Sequence, residues 1–385
     1  MTSTRVLFVH NFATHYSLRM FELLSQRVKT RYLFFSRGEE SYWLPEHGVR
    51  EGKFDGRYLR GISVLGTRIV PELLPRLLTD RYDVVVKSID GRFALPAAFL
   101  AARLRRKPFI LWTGVWMKID TPLHRLFYPI TRFFYRHADA IVAYGSHVMR
   151  FLAAEGVRPD RIFVTRHAVD NALYSRPVPA EEREALRVRL GIAPGIKIVL
   201  YLGRLEPVKG LTYLVEAFAS LRRSDAVLVL AGTGREKSAL AALAARFEIA
   251  DSVRFPGYIP IDQALVYYSA AWTYVLPSVT MHDHKECWGL VVNEAFNQGV
   301  PVIATDAVGA AAGGLVRDGE TGFVVPERDA SSLARALQII LDDAELRARL
   351  SRNAKSAMET WDQEHMAEQF EAAIRFALQA REARS

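Results

Sequence analysis

Two acids and two bases in the second half of this 385-residue chain are spaced as ligand chemistry would need them. In "ECWGLVVNEAFNQGVPVIATD", Glu286 and Glu294 stand eight positions apart, with Trp288-Gly289-Leu290 between them where a helix can begin. Eight helical residues cover about 12 Å. Carboxylates that far apart need not act on one bond, unlike the pair of a retaining glycosidase, which sits roughly 5 Å apart. They can hold two hydroxyl-bearing ends of an extended ligand. The free amides of a helix start at Gly289 and Leu290 would then take phosphate between them. A nucleotide-sugar has that layout, ribose at one end and hexose at the other. A capping glutamate plus a surface glutamate is the plainer alternative.

The bases lie in "YLGRLEPVKGLTYLVEAF". A strand ends at Gly203, which lets a ligand approach the backbone, and a helix opens near Gly210. Arg204 and Lys209 reach over the strand end. Arg offers a fork and Lys a point charge, a clamp suited to a diphosphate. Solvated basic residues on an ordinary loop would look the same. "LVLAGTGREKSAL" places Gly232 and Gly234 between strand and helix, but a lone GxG serves a tight turn as readily as a dinucleotide.

Such residues need strand ends to carry them. Apolar runs "RVLFVH", "TRYLFFS", "YDVVVKS", "PFILWTG", "DAIVAYG" and "RIFVTRH" read as strands in the first half. "KIVLYLG", "AVLVLAG", "SVRFPG", "WTYVLPS", "PVIATD" and "GFVVP" do so in the second. Helix-period segments such as "SSLARALQIILDD" lie between them. Alternation of this kind argues for parallel sheets covered on both faces. Two series argue for an α/β chain of two doubly wound, Rossmann-like domains facing each other across a cleft. The proline-bearing stretch from Asn171 to Lys197 marks the joint. The reading divides the chain into 1–178, 179–362 and a helical tail 363–385.

Half the residues are hydrophobic and 24% are charged, a globular balance. The longest apolar run, Phe93 to Ala102, is half of the roughly 20 residues a bilayer span needs. "MTSTRVLFVHN" reads as a strand rather than a signal peptide. Cys287 is the one cysteine, which excludes an intrachain disulfide and suits a reducing compartment. The net charge of +9 is lopsided: residues 1–176 hold 28 Lys+Arg against 15 Asp+Glu, and the rest 23 against 27. That first half could meet nucleic acid, anionic lipid or an acidic substrate, or be merely solubilising.

Taken together, "GRLEPVKG", "AGTGREKSAL", "FPGYIP" and "ECWGLVVNEAFNQGVPVIATDAVG" resemble the family 4 (group 1) retaining glycosyltransferases. The match is strong over about 197–345 and weaker before. The resemblance implies the GT-B architecture, with an acceptor domain first and a nucleotide-sugar donor domain second. It implies that Arg204 and Lys209 hold the donor diphosphate and Glu286 the transferred sugar, these three being the catalytic set. Glu294 would bind the ribose, with Gly203 and the amides of Gly289, Leu290 and Val291 at the phosphates or sugar. Tyr258 and Ile259 would lie against the base. It further implies a tail helix returning to the first domain, a reaction with retention, and no metal or other cofactor.

Two positions depart from that pattern. Many family members carry a Gly-Gly pair in the first strand–helix loop, where this chain has "HNFATHYSLRM". They also carry a His after a middle strand, where this chain has Thr113-Gly114. Asn11, His15, Thr113 and Gly114, with His282 and Asp283 from "SVTMHDHKEC", are therefore the candidate sugar or acceptor pocket. A metal site among the last group is the weaker reading, since adjacent residues rarely share one ion. Trp112 and Trp116 read as core, with the shaping of an acceptor site as the weaker alternative. "LHRLFYPITRFFYRHAD" interleaves arginines with aromatics, which suits an anionic membrane surface. The expected acceptor is a lipid-linked or cell-envelope glycan, and the expected place cytoplasmic and peripheral at the inner membrane face. Rival readings are a nucleotide-sugar epimerase and a non-catalytic nucleotide-sugar-binding protein. No nucleic-acid module supports a polynucleotide partner.

Overall fold

The computed structural model describes residues 4–37, 52–64 and 67–383, which form two compact units. The first takes the described residues up to Lys118, then Pro122–His167, then the stretch from Gln363. The second takes Ile119–Thr121 and Ala168–Asp362. Residues 168–178, which the proline pattern groups with the first domain, lie in the second. Polar contacts hold them there. Gln298 donates its side-chain amide to the carbonyls of Tyr174 and Arg176, and Asn297 donates to the Asn171 side chain at 2.9 Å.

In the first unit β1 (Arg5–His10), β2 (Lys29–Phe34), β3 (Gly56–Tyr58), β6 (Val84–Ser88), β7 (Phe109–Thr113), β8 (Ala140–Ala143) and β9 (Ile162–Val164) form one sheet. Its order is β3-β2-β1-β6-β7-β8-β9, parallel throughout. β4 (Ile62–Val64) and β5 (Thr67–Ile69) make a separate antiparallel ribbon. β6, β7 and β8 are buried along their whole length, which is why their sequences run apolar instead of alternating. The second unit repeats the plan with β10 (Lys197–Leu202), β11 (Ala226–Ala231), β12 (Val253–Gly257), β13 (Thr273–Leu276), β14 (Val302–Thr305) and β15 (Gly322–Val325). Their order is β12-β11-β10-β13-β14-β15, again parallel. All twelve apolar runs read from the sequence are strands.

The C-terminal helix Gln363–Glu382 belongs to the first unit. Phe370 is fully buried, its ring 5.6 Å from Phe8 and 5.3 Å from Trp112. Truncating such a residue costs about 3–5 kcal/mol, so the helix is part of this core and no loose tail. Glu368 and Glu371 pair with Arg27 on the facing helix.

Lys87 and His167 are buried in the first unit, and His10 is half-buried there. Lys87 is fully buried, donating to the carbonyls of Ser88 (2.7 Å) and Asp90 (2.6 Å). Burial lowers His10 and His167 to about 3, aided by Lys87 at His10 and by His147 at His167. Between pH 3 and 6.5 the unfolded chain therefore binds more protons than the folded one, and stability falls as pH drops through that window. Urea unfolding followed by pH should show this loss in the wild type, and a shallower slope in His10→Phe.

Candidate active site

The order of the second sheet reverses between β10 and β13. Connections leave those two strands toward opposite edges, and an open α/β sheet takes ligands at the carboxyl ends beside such a reversal. The chain places its candidate chemistry there. β10 ends at Leu202 and is followed by Gly203 and Arg204. β13 ends at Leu276 and leads through Ser278 to Glu286.

Two buried tyrosines fix the loop after β10. The Tyr201 hydroxyl donates to the Arg204 carbonyl at 2.6 Å, and the Tyr274 hydroxyl to that of Leu202 at 3.0 Å. Burial pushes both phenols well above their ordinary value, so they remain donors. From the other side, Gly203 donates its N–H to Ala231 at 2.9 Å and Leu205 to Thr233 at 2.8 Å. Gly232 adopts φ +145°, and a Cβ on it would stand 1.8 Å from the Gly203 carbonyl oxygen. The GxG of "AGTG" therefore serves backbone-to-backbone packing beneath the Arg204 loop. Arg204 itself is exposed and has no carboxylate partner among the described residues.

Lys209 ends a short 3-10 turn, Pro207–Lys209, and donates its ammonium to Glu286 Oε2. Ser278 donates its hydroxyl to the same oxygen at 3.2 Å. Both side chains of the ion pair are 14% exposed. Burial alone would raise the Glu286 carboxyl. The Lys209 ammonium, with the Ser278 hydroxyl, outweighs it and holds the group below its ordinary value, ionised. The Glu286 backbone is pinned as well. It bridges to Val308, and its carbonyl accepts the Gly309 N–H at 3.1 Å. Upstream, Thr280 donates its hydroxyl to Glu327, just past β15, at 2.7 Å.

Glu294 lies on the helix Val291–Asn297 in a different environment. It is 9% exposed and accepts the Tyr268 hydroxyl at 2.7 Å, with Tyr174 as a second phenolic partner. Here burial wins and lifts the carboxyl above its ordinary value despite both phenols. Between the two acids, the N–H groups of Gly289, Leu290 and Val291 have no acceptor among the described residues; the helix ladder begins with Val292 to Gly289 and Glu294 to Leu290. The second unit thus brings Gly203, Arg204, Lys209, Glu286 and the amides of Gly289–Val291 to one end of adjacent strands.

Other candidates are placed elsewhere. Tyr258 and Ile259 are half-buried after β12, two strands away from β10. His282 and Asp283 are exposed, with side chains 65% and 54% accessible. Asn11 and His15 follow β1 in the first unit, both half-buried. Thr113 ends β7, its hydroxyl accepting the Val115 N–H at 3.1 Å, and Gly114 lies flush on the Tyr144 ring. Trp112 is core at 3% exposure. No three His, Cys, Asp or Glu gather as metal ligands among the described residues. Ser278, Tyr174, Tyr268 and Glu327 escaped the sequence reading. Ser278 and Glu327 stand within two residues of a strand's carboxyl end, which was the available signal. Nothing local marks the tyrosines.

Residues 182–357 match the family described as "Glycosyl transferases group 1", and 22–173 match "Glycosyltransferase Family 4". A D-inositol 3-phosphate glycosyltransferase of Jonesia denitrificans is 34% identical over 53% of this chain and 49% of its own length. The chain spans about half the length of the curated relatives it matches. Anabaena Alr3699/HepE, crystallised with UDP, superimposes with a TM-score of 0.77 at 21% identity, covering 96% of this chain and 99% of its own. Sucrose-phosphate synthase of Thermosynechococcus elongatus gives 0.74 at 22% identity, covering 98% of this chain and all of its own.

Proposed function

Because the chain belongs to the group 1, family 4 glycosyltransferases and has the GT-B fold, we propose that it moves a hexose from a nucleotide-diphosphate-sugar to an acceptor hydroxyl with retention. The observation that carries the reading is the β10/β13 reversal, which gathers a free guanidinium, an ion-paired carboxylate and three unpaired amides. The anomeric carbon–phosphate oxygen bond breaks and its electron pair stays on the diphosphate. Arg204, Lys209 and the amides of Gly289–Val291 stabilise that growing negative charge, without a metal. Glu286, kept ionised by Lys209, accepts the sugar's hydroxyls, and Glu294 those of the ribose. The acceptor oxygen attacks on the face the phosphate leaves, and its proton passes to the departing phosphate oxygen. UDP bound to HepE and the fold it shares with this chain support a uridine donor. The basic, aromatic first unit supports a lipid-linked glycan as acceptor, met at the inner membrane face. Asn11, His15, Thr113 and Gly114 of that unit are assigned to the acceptor side.

The test is a panel of UDP-, GDP- and ADP-sugars scored by thermal unfolding and by products with and without a glycolipid acceptor. One donor at about 100 times its Kd should add about 2.7 kcal/mol of stability, and nucleotide diphosphate should form only with acceptor. An epimerised sugar without acceptor would turn the reading to an isomerase. Binding without turnover across acceptors would turn it to a binding protein, and failure of every nucleotide to stabilise would overturn the donor site.

A further inference from the structure

We propose that the helix Pro122–His137 seats the first unit in the headgroup layer of an anionic lipid bilayer. Its amphipathicity is turned away from the core. Phe134 and Tyr135 are buried, and Tyr128 turns toward Glu155. Outward lie Leu123 (45% exposed), Leu126 (71%), Phe127 (49%), Ile130 (50%) and Phe133 (45%). Steps of three and four place these five on one helical face. Phe133 also touches Phe99 of the neighbouring helix Ala94–Leu104, which exposes Leu100 and Leu104.

A second row runs beside the apolar one. Arg125, Arg132 and Arg136, seven and four residues apart, line one flank of the helix. Two of them are held in place from below. Glu155, its side chain 5% exposed, pairs with Arg132 at 3.1 Å, and its carbonyl accepts Arg136 Nε at 2.8 Å. Arg136 is nevertheless exposed, and Arg132 keeps 43% of its side chain accessible. The arginines form one edge, and the face that meets the partner is aliphatic and aromatic.

A 16-residue helix spans about 24 Å, a long apolar stripe to leave in water. An apolar face flanked by guanidinium groups is the arrangement of a helix lying at the headgroup–acyl boundary, with the cations at phosphate level. The excess of 28 Lys+Arg over 15 Asp+Glu in residues 1–176 adds attraction to anionic lipid. A second copy is the other occupant to weigh. A two-fold interface sets the same surface against itself, and an antiparallel pairing of the two helices would put both arginine rows along one edge, which charge disfavours. Lipid phosphate is the complementary partner. Among the described residues no helix is long and apolar enough to cross a membrane, so the contact is one of surface seating.

Vesicle flotation of the full chain tests this. Mixed phosphatidylcholine–phosphatidylglycerol vesicles should carry it, and phosphatidylcholine alone at least about 10-fold less well, given three arginines at the surface. Leu126→Glu with Ile130→Glu should weaken flotation about 100-fold while keeping the wild-type thermal shift with donor. Sedimentation should show a monomer for both. Absence of flotation with either vesicle, equal flotation with both, or flotation indifferent to the double change would overturn the proposal. So would a dimer that the double change dissociates, since that assigns the face to a second copy. Leu126 and Ile130 lie outside the donor site, so this result and the donor panel fail independently.

Discussion

Glu286→Ala is expected to lower sugar transfer by about 10²–10³-fold or more, the range lost when one preorganised transition-state contact is removed. It is also expected to destabilise the second unit by about 3–5 kcal/mol, because Lys209 is left nearly buried and unpaired. The two effects separate in the double variant. Removing Lys209 as well relieves the stranded charge, so Lys209→Ala/Glu286→Ala should recover much of the lost stability while transfer stays at least as low as in Glu286→Ala. Lys209→Ala alone should raise the donor KM and strand Glu286 instead, whose carboxyl then loses the cation that keeps it ionised. Turnover and urea unfolding of the three variants give both readouts. A double variant with wild-type turnover would sink the assignment of this pair, whatever its stability.

Gly232→Ala is expected to cost about 3 kcal/mol and to weaken donor binding from a position that contacts no donor. The new methyl would meet the Gly203 carbonyl oxygen at 1.8 Å, a main-chain atom held by a hydrogen-bonded strand pair. The strain must be met by moving the loop that carries Arg204. Gly191→Ala is the control: its backbone is also left-handed, at φ +62°, but a Cβ there meets nothing within 4 Å. It should cost about 1 kcal/mol and leave donor affinity unchanged. Equal effects of the two changes on donor affinity would show that the packing of Gly232 under Gly203 does not position Arg204.

What the chain alone made legible was local. Apolar runs long enough for strands, broken by helix-period segments, named every strand of both large sheets except the short β3 edge. That holds because burial on both faces leaves a continuous apolar trace in the sequence. Residues next to strand ends were legible too, and so Arg204, Lys209 and Glu286 could be singled out before any coordinates. The partners were not legible. That Lys209 meets Glu286 depends on β13 lying beside β10 in the sheet, a pairing between segments with β11 and β12 between them in the chain. The same holds for Tyr268 and Tyr174, which give Glu294 a raised carboxyl while Lys209 gives Glu286 a lowered one. Identical side chains eight residues apart thus acquire opposite shifts from neighbours the sequence does not mark. The helix Pro122–His137 shows the same division. Its alternation of arginine and aromatic residues is written in the chain, but only the packing of Phe134 against Phe99 and of Tyr135 against Phe151 decides which side faces the core. Periodicity fixes the angle between two faces of a helix; the neighbours it packs against fix where each one points.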